Sequence, residues 1–224
     1  MKSMFSKKDI FIFILMGITG VLISITGIFY NQSFLRIFPL YVSLVIGLLQ
    51  SRVNRYASLM GSVNSILYGV VYFYYGLYGS ALSAVLFSCP IQMLTFIRWN
   101  KNKWEQSTVL KKLTAKQRIL LSAGFMVSLV VMWILLPYFG AKYVFLDSVS
   151  TLLGIIIYFL TMFAFTEYTF LMLINGVISI ALQTEVAIAT PETVPFLIFS
   201  VYSFICIIFA FFQARRLYQK QNQK

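Results

Sequence analysis

Uninterrupted apolar runs of about 20 residues, the length that crosses a hydrocarbon layer roughly 30 Å thick, constrain this chain more than any other feature. A segment in lipid must satisfy its own backbone hydrogen bonds, so each run is predicted to be an α-helix. Strands of a membrane barrel would instead alternate in hydropathy over about ten residues. Eight membrane spans are predicted: Ile10–Phe29, Leu35–Gln50, Tyr56–Tyr75, Ser80–Ile97, Ile119–Leu136, Val144–Phe163, Tyr168–Thr184 and Val194–Gln213.

The composition leaves no room for a separate soluble domain. Of the 224 residues, 60% are hydrophobic and only 11% are charged, which is too apolar for a soluble surface. The first span follows three lysines, as a signal peptide would, but its apolar stretch is longer than a signal core and a poor cleavage site follows it. We therefore predict an all-α integral membrane protein whose first helix is retained.

The basic charge is distributed by membrane side. With the N-terminus inside, only Arg36 and Lys142 of the 18 lysines and arginines fall outside, as the positive-inside rule requires. This pattern supports the span count and predicts that both termini are cytoplasmic. The net charge of +12 is thus topological, with anionic membrane lipid as a partner and no nucleic acid.

Several kinds of chemistry lack the residues that they need. The chain has no histidine, which removes histidine proton relays, zinc-protease motifs and histidine-ligated haem. Its two cysteines lie inside apolar runs, where thiols behave as small hydrophobic groups. A nucleophile elbow is missing as well. Neither an enzyme, nor a cofactor, nor a metal site is expected.

The polar segment between spans four and five, residues 99–118, has two interpretations. The favoured one is a solvated linker along the membrane surface, with Trp99 and Trp104 as interfacial anchors. The alternative is a regulatory or partner-binding element.

A weak internal repeat relates spans two to four to spans six to eight. It predicts two parallel three-helix units joined by a linker helix, with one extra N-terminal helix, as in SWEET-like carriers. The predicted parts are residues 1–33 (extra helix), 34–101 (first unit), 102–143 (basic loop and linker helix) and 144–224 (second unit and basic tail). The matching residues are Val42, Ser43 and Gly47 with Val149, Ser150 and Gly154, then Tyr56 and Asn64 with Tyr168 and Asn175.

Polar side chains inside spans mark either helix packing or a path for solute. Tyr168 and Asn175 lie two turns apart on one helix face, and Gln92 and Phe96 lie one turn apart on another. An amide beside aromatic rings suits a flat, neutral ligand such as a vitamin or nucleoside, whereas hydrogen bonding between helices is the structural alternative. The candidate substrate-binding residues are Gln92, Asn175, Asn64, Tyr168, Tyr202, Phe96 and Asp147.

Asp147 is the one carboxylate near a span interior. It either caps its helix or binds a proton, a cation or substrate hydroxyls. A lone carboxylate, without intramembrane Lys, Arg or His, favours facilitated diffusion over a proton-coupled relay.

The sequence resembles the PnuC-type nicotinamide riboside transporters from about Val42 to Arg215. The resemblance is strongest over residues 77–101, with a glycine-tyrosine-glycine-type turn, Pro-x-Gln and a terminal aromatic-x-x-Trp before a basic loop. The residues that carry it are Tyr78-Gly79, Pro90 with Gln92, Phe96 with Trp99, Asn54-Arg55, Gly61, Asn64 and Tyr68, Leu146-Asp147, and Asn175.

The resemblance implies a three-plus-one-plus-three helix core and a midmembrane nucleoside site in which Gln92 and Asn175 hydrogen-bond substrate. It also implies uptake across a bacterial plasma membrane by facilitated diffusion, made one-way by a cytoplasmic kinase. The family usually has two tryptophans before the asparagine of span seven, where this chain has Tyr168 and Leu171. Carriers of thiamine, riboflavin or deoxynucleosides therefore stay open. A substrate-binding membrane subunit of an ATP-driven vitamin importer is the alternative class, and a homo-oligomer is among the alternatives for quaternary state.

Overall fold

The computed structural model describes residues 7–74, 84–135 and 144–223 of the chain. Eight α-helices lie within these residues, together with a π-helical turn (Ala84–Ser88) before α4, a 3-10 turn (Pro191–Thr193) before α8, and a short hairpin of β1 (Lys103–Trp104) and β2 (Ser107–Thr108). The helices are α1 (Lys7–Phe29), α2 (Phe34–Ser51), α3 (Tyr56–Tyr74), α4 (Cys89–Lys101), α5 (Ala115–Leu135), α6 (Val144–Met162), α7 (Glu167–Ala189) and α8 (Val194–Asn222).

Each predicted span corresponds to one of these helices, so the prediction of an all-helical chain is confirmed. Within the described residues, five helices are long and apolar enough to cross a membrane, and a shorter apolar helix covers Ser148–Met162. These five helices are Ile10–Phe29, Phe34–Ser51, Ala115–Ile134, Glu167–Ala189 and Pro191–Asn222. The start of the fourth predicted span lies outside the described residues.

Large apolar side chains cover the outside of the helix bundle. Ile28, Leu120 and Ile188 are each at least 75% exposed, and many further Ile, Leu, Val and Phe side chains are more than half exposed. A soluble protein does not expose apolar surface on this scale, whereas a hydrocarbon layer covers it. The chain is an integral membrane protein.

Six of the helices pack in a ring. In order around the ring they are α2, α3, α4, α6, α7 and α8, and α8 packs back against α2. Helix α1 lies outside this ring against α2 and α8, and α5 packs against α6. None of the residues of Ala115–Ile134 is buried, so α5 is peripheral to the core.

The connections at one end of the bundle, here called the basic end, contact one another. This end holds the α2–α3, α4–α5 and α6–α7 connections and the C-terminal part of α8. The Arg55 N–H donates to Gln106 O at 3.0 Å, and the Lys111 N–H donates to Ala164 O at 2.8 Å. The Gln221 side chain accepts from the Leu110 N–H and donates to Thr108 O, both at 2.9 Å.

These contacts correct the expectation of a solvated linker. Thr108, Leu110 and Leu113 are buried, because the segment after α4 is folded back between the start of α7 and the tail of α8. Trp99 is also buried at 3% exposed, and its indole N–H donates to Thr161 O at 2.7 Å. The prediction that Trp99 anchors at the membrane interface is wrong, since it joins α4 to α6 in the core. Trp104 is half-buried in the hairpin.

Candidate functional site

A partly open cavity of about 370 Å³ lies between helices of the ring. Five of the six ring helices, α2, α3, α6, α7 and α8, contribute to its wall. Its volume falls at the lower end of the usual range for small-molecule sites, roughly 300–1,000 Å³. The lining residues are Gln50, Tyr68, Gly154, Ile157, Tyr158, Met172, Asn175, Gly176, Ser179, Gln183, Phe196, Phe199, Ser200, Ser203, Phe204 and Ile207.

Asn175 lines this cavity with an unused hydrogen-bond acceptor. Its Oδ1 atom is buried and has no partner within the described part of the chain. A buried acceptor without a partner costs about 1–3 kcal/mol, and most such groups in proteins are paired. A ligand N–H or O–H in the cavity would satisfy this atom.

Gln50, Tyr68 and Gln183 also line the cavity, although sequence reasoning did not select them. Gln50 and Gln183 lie within one residue of the end of a predicted span, a position that is typical of amides at the membrane interface. Tyr68 appeared only within the family resemblance. The Gln50 amide donates to Met172 Sδ at 3.7 Å, so α2 and α7 meet across this side of the cavity.

The cavity wall is aromatic and uncharged. Tyr158, Phe196, Phe199 and Phe204 contribute rings, and the described lining contains no Lys, Arg, Asp or Glu. Aromatic faces attract cations and stack on flat ligands, whereas an anion would lose its hydration without gaining a counter-charge.

Gly154 leaves part of the cavity open. A Cβ atom added at Gly154 would meet no atom within 4 Å, although this glycine belongs to the wall. Gly176 differs, because an added Cβ would lie 2.6 Å from the Phe204 ring. The wall is therefore tightly packed at Gly176 of α7, whereas free space adjoins Gly154 of α6.

A packed apolar layer separates the cavity from the basic end. Ile157, Met172 and Ile207 belong both to the cavity wall and to the buried cluster at that end. Trp99 and Tyr168 lie in the same cluster, with ring centroids 6.3 Å apart.

Two predicted site residues are bound to neighbouring helices. The Gln92 amide of α4 donates to Ser65 Oγ at 2.9 Å, and its Oε1 lies where a Cβ of Gly61 would be. The Asn64 amide of α3 donates to Ser43 Oγ at 2.8 Å, while its buried Oδ1 has no partner among the described residues. Neither residue is part of the described lining.

Three further predicted residues, Tyr202, Phe96 and Tyr168, are also absent from the described lining. Tyr202 is 1% exposed and donates to Leu44 O at 2.7 Å, which ties α8 to α2. Phe96 packs against Tyr56, with ring centroids 5.6 Å apart. Tyr168 belongs to the packed layer, and the side chain of Asp147 lies outside the described residues. Of the seven predicted residues, the structure places Asn175 in the cavity wall.

Comparison with known proteins agrees with this architecture. A crystal structure described as that of the vitamin B3 transporter PnuC is similar with a TM-score of 0.78 and 20% identity, covering 96% of this chain and 94% of that chain. This likeness shows a shared fold. No curated protein sequence matches the chain significantly. The sequence profile of the nicotinamide mononucleotide transporter family matches residues 33–216, most of the length of the chain. The chain therefore belongs to the nicotinamide mononucleotide transporter family of membrane proteins.

Proposed function

We propose that this protein carries a nicotinamide-type nucleoside, nicotinamide riboside, across a bacterial plasma membrane by facilitated diffusion. The observation that carries the proposal is the cavity between the ring helices, in which the buried Asn175 Oδ1 has no partner among the described residues. The family description and the vitamin B3 transporter of similar fold support a nicotinamide-related solute.

The absence of charge in the described cavity wall favours a nucleoside over its phosphate. A mononucleotide would bring a phosphate into a site that offers no lysine or arginine among its described lining residues. Burying an unpaired phosphate is strongly unfavourable. The riboside has no phosphate, and Asn175, Gln50 and Gln183 can hydrogen-bond its hydroxyls and carboxamide.

The rings in the cavity favour a solute with a flat, positively charged ring. The nicotinamide ring of a riboside is a pyridinium cation, and tyrosine and phenylalanine faces attract such cations. Riboflavin and deoxynucleosides lack this charge, and thiamine has it. Thiamine is therefore the second candidate.

We infer further that residues 34–101 and 144–224 form two related three-helix units around the cavity, with α5 as their linker. The ring order supports this, because α4 packs on α6 as α8 packs on α2. The basic end would face the cytoplasm by the positive-inside rule. A cytoplasmic kinase that phosphorylates the product would make net uptake one-way.

Ligand binding can be tested by thermal stabilisation of the detergent-solubilised protein. Nicotinamide riboside is expected to raise the melting temperature with concentration, since a ligand that binds only the folded state stabilises it. The mononucleotide is expected to raise it much less. Equal shifts for both would contradict the charge argument.

The Asn175→Ala variant tests whether the unpaired Asn175 oxygen binds the substrate. Loss of this amide is expected to weaken binding by about 10-fold to 100-fold, which corresponds to one or two hydrogen bonds in a buried site. Asn100→Ala, at an exposed position of α4, is the matched control and should bind like the parent. An unchanged shift in Asn175→Ala would remove this residue from the site.

Transport is tested with the purified chain alone in liposomes. Labelled substrate is expected to equilibrate across the bilayer without ATP or an ion gradient. A protein that binds substrate but does not equilibrate it would instead be the membrane subunit of an energised importer, which is the alternative function.

A further inference from the structure

A second, larger concavity lies at the basic end of the bundle. It is a groove of about 960 Å³ between the start of α7, the end of α8 and the segment that precedes α5. Its wall includes Lys112, Arg118, Glu167, Phe170, Arg215 and Tyr218. The packed layer described above, which includes Ile157, Met172 and Ile207, lies between this groove and the first cavity.

The cations in this groove exceed its carboxylates. Glu167 accepts from Arg118 Nη2 at 2.8 Å, from the Leu113 N–H at 3.2 Å and from the Thr166 hydroxyl at 3.2 Å. Among the described residues, Arg118 is the cation that pairs with this carboxylate. Lys112 and Arg215 have no carboxylate within ion-pair distance in the described part of the chain, which leaves two positive charges for an anion.

Aromatic rings hold these two cations in the groove wall. The Lys112 Nζ atom lies 4.7 Å from the centroid of the Tyr218 ring. The Arg215 guanidinium lies 4.1 Å from the centroid of the Phe211 ring. Contacts with ring faces leave N–H groups of both cations available to a phosphate oxygen.

The position of the groove along the length of α8 matches the level of a lipid headgroup. Arg215 follows Val194, the first residue of α8, by about 32 Å at 1.5 Å per residue. This distance is close to the thickness of the hydrocarbon core, roughly 30 Å. Phe170, which is 52% exposed, lies in the same groove wall and gives an acyl chain an apolar surface.

We propose that this groove binds the phosphate headgroup of an anionic phospholipid, with Lys112 and Arg215 as its counter-charges and Phe170 beside its acyl chain. The site joins the loop after α4 to the tail of α8, next to the contacts that Gln221 makes with that loop. The proposal rests on the membrane orientation given above, but not on the identity of the transported solute.

Native mass spectrometry of the solubilised protein with equimolar phosphatidylglycerol and phosphatidylcholine tests this site. Phosphatidylglycerol is expected to be retained preferentially. Lys112→Gln and Arg215→Gln should each weaken its binding about fivefold, the effect of one basic residue at a membrane surface. Arg215→Lys should retain most of the binding, because it keeps the charge.

Lys101→Gln and Lys103→Gln are the matched controls, since both are exposed cations of the basic end outside the groove wall. An equal loss in these controls, or no loss in the two groove variants, would overturn the proposal. Displacement of phosphatidylglycerol by inorganic phosphate at comparable concentration would also overturn it, because the site would then belong to a soluble phosphate. Lys112 lies on an exposed surface of the loop, so its variant keeps the test valid if Arg215→Gln is unstable.

Discussion

Helices α2–α4 and helices α6–α8 use similar residues in different ways. In α2–α4, the Asn64 amide donates to Ser43 and the Gln92 amide to Ser65. In α7, Asn175 faces the cavity, and its oxygen has no partner among the described residues. The Asn64 and Gln92 amides donate to neighbouring helices, and the Asn64 oxygen also has no partner among the described residues. The difference is that Asn175 belongs to the described cavity wall, where a ligand can reach its oxygen, and the two other amides do not.

The glycines that match in the internal repeat show the same contrast. An added Cβ at Gly47 of α2 would lie 2.9 Å from the Tyr202 ring, whereas one at Gly154 of α6 would meet nothing within 4 Å. The space beside Gly47 is filled by a side chain of α8, and the space beside Gly154 is part of the cavity. A polar or small residue in a membrane helix therefore does not identify a site by itself. The space next to it does.

Filling the space beside Gly154 should have the largest effect. Gly154→Phe is expected to weaken nicotinamide riboside binding by more than about 100-fold, or about 2.7 kcal/mol, because the ring would occupy much of the cavity. Thermal-shift titration measures the change. Gly124→Phe on the peripheral helix α5, where an added Cβ also meets nothing within 4 Å, is the control and should bind normally. Normal binding by Gly154→Phe would show that the ligand site is elsewhere.

Substitution at the counterpart Gly47 should affect stability rather than binding. Gly47→Ala is expected to lower the free energy of unfolding by about 1–3 kcal/mol, because the Tyr202 ring must move. Gly20→Ala, whose added Cβ would make ordinary contacts of 3.7 Å and 3.9 Å, should cost nothing. Denaturation in detergent measures both. If Gly47→Ala were as stable as the parent but lost binding, the contrast between the two regions would fail.

The smallest effect is expected at Gln92. Gln92→Leu removes the hydrogen bond to Ser65 and should cost about 0.6–2 kcal/mol of stability, as for other hydrogen bonds between membrane helices. The ligand affinity should stay within about twofold of the parent value, because the residue does not line the described cavity. Binding and unfolding measurements on the same preparation separate the two effects. A loss of affinity as large as that of Asn175→Ala would place Gln92 in the site after all.

The positions of the helices could be predicted from the sequence because each depends on a local property. An apolar run must become a helix in lipid wherever its neighbours lie. The predicted starts of α3 and α8 agree with the structure at Tyr56 and Val194. The ends are less accurate where a helix continues past the apolar run, as α8 does into its basic tail.

The site could be predicted only in part, because its residues depend on which helix faces which. Asn175, Gln92 and Asn64 are all amides inside predicted spans, so the sequence predicts each of them equally as a site residue. The sequence does not show that Ser65 and Ser43 lie opposite Gln92 and Asn64. Gln50 and Gln183 stand at the ends of apolar runs, where an amide does not by itself indicate a site inside the membrane. The basic loop after Trp99 predicts that this residue lies at the membrane surface. In the structure the loop folds back, and Trp99 is buried with Leu110 and Leu113.

The closed order of the six ring helices has a mechanical consequence. Each of these helices is braced on both sides, so none can swing open alone as a lid does. A solute that left the cavity towards the basic end would have to pass the packed layer around Met172 and Ile207. The contacts between several neighbouring helices would then have to loosen together. A cross-link between any two neighbouring helices of the ring should therefore slow the passage of the solute, even when the cross-link lies far from the cavity.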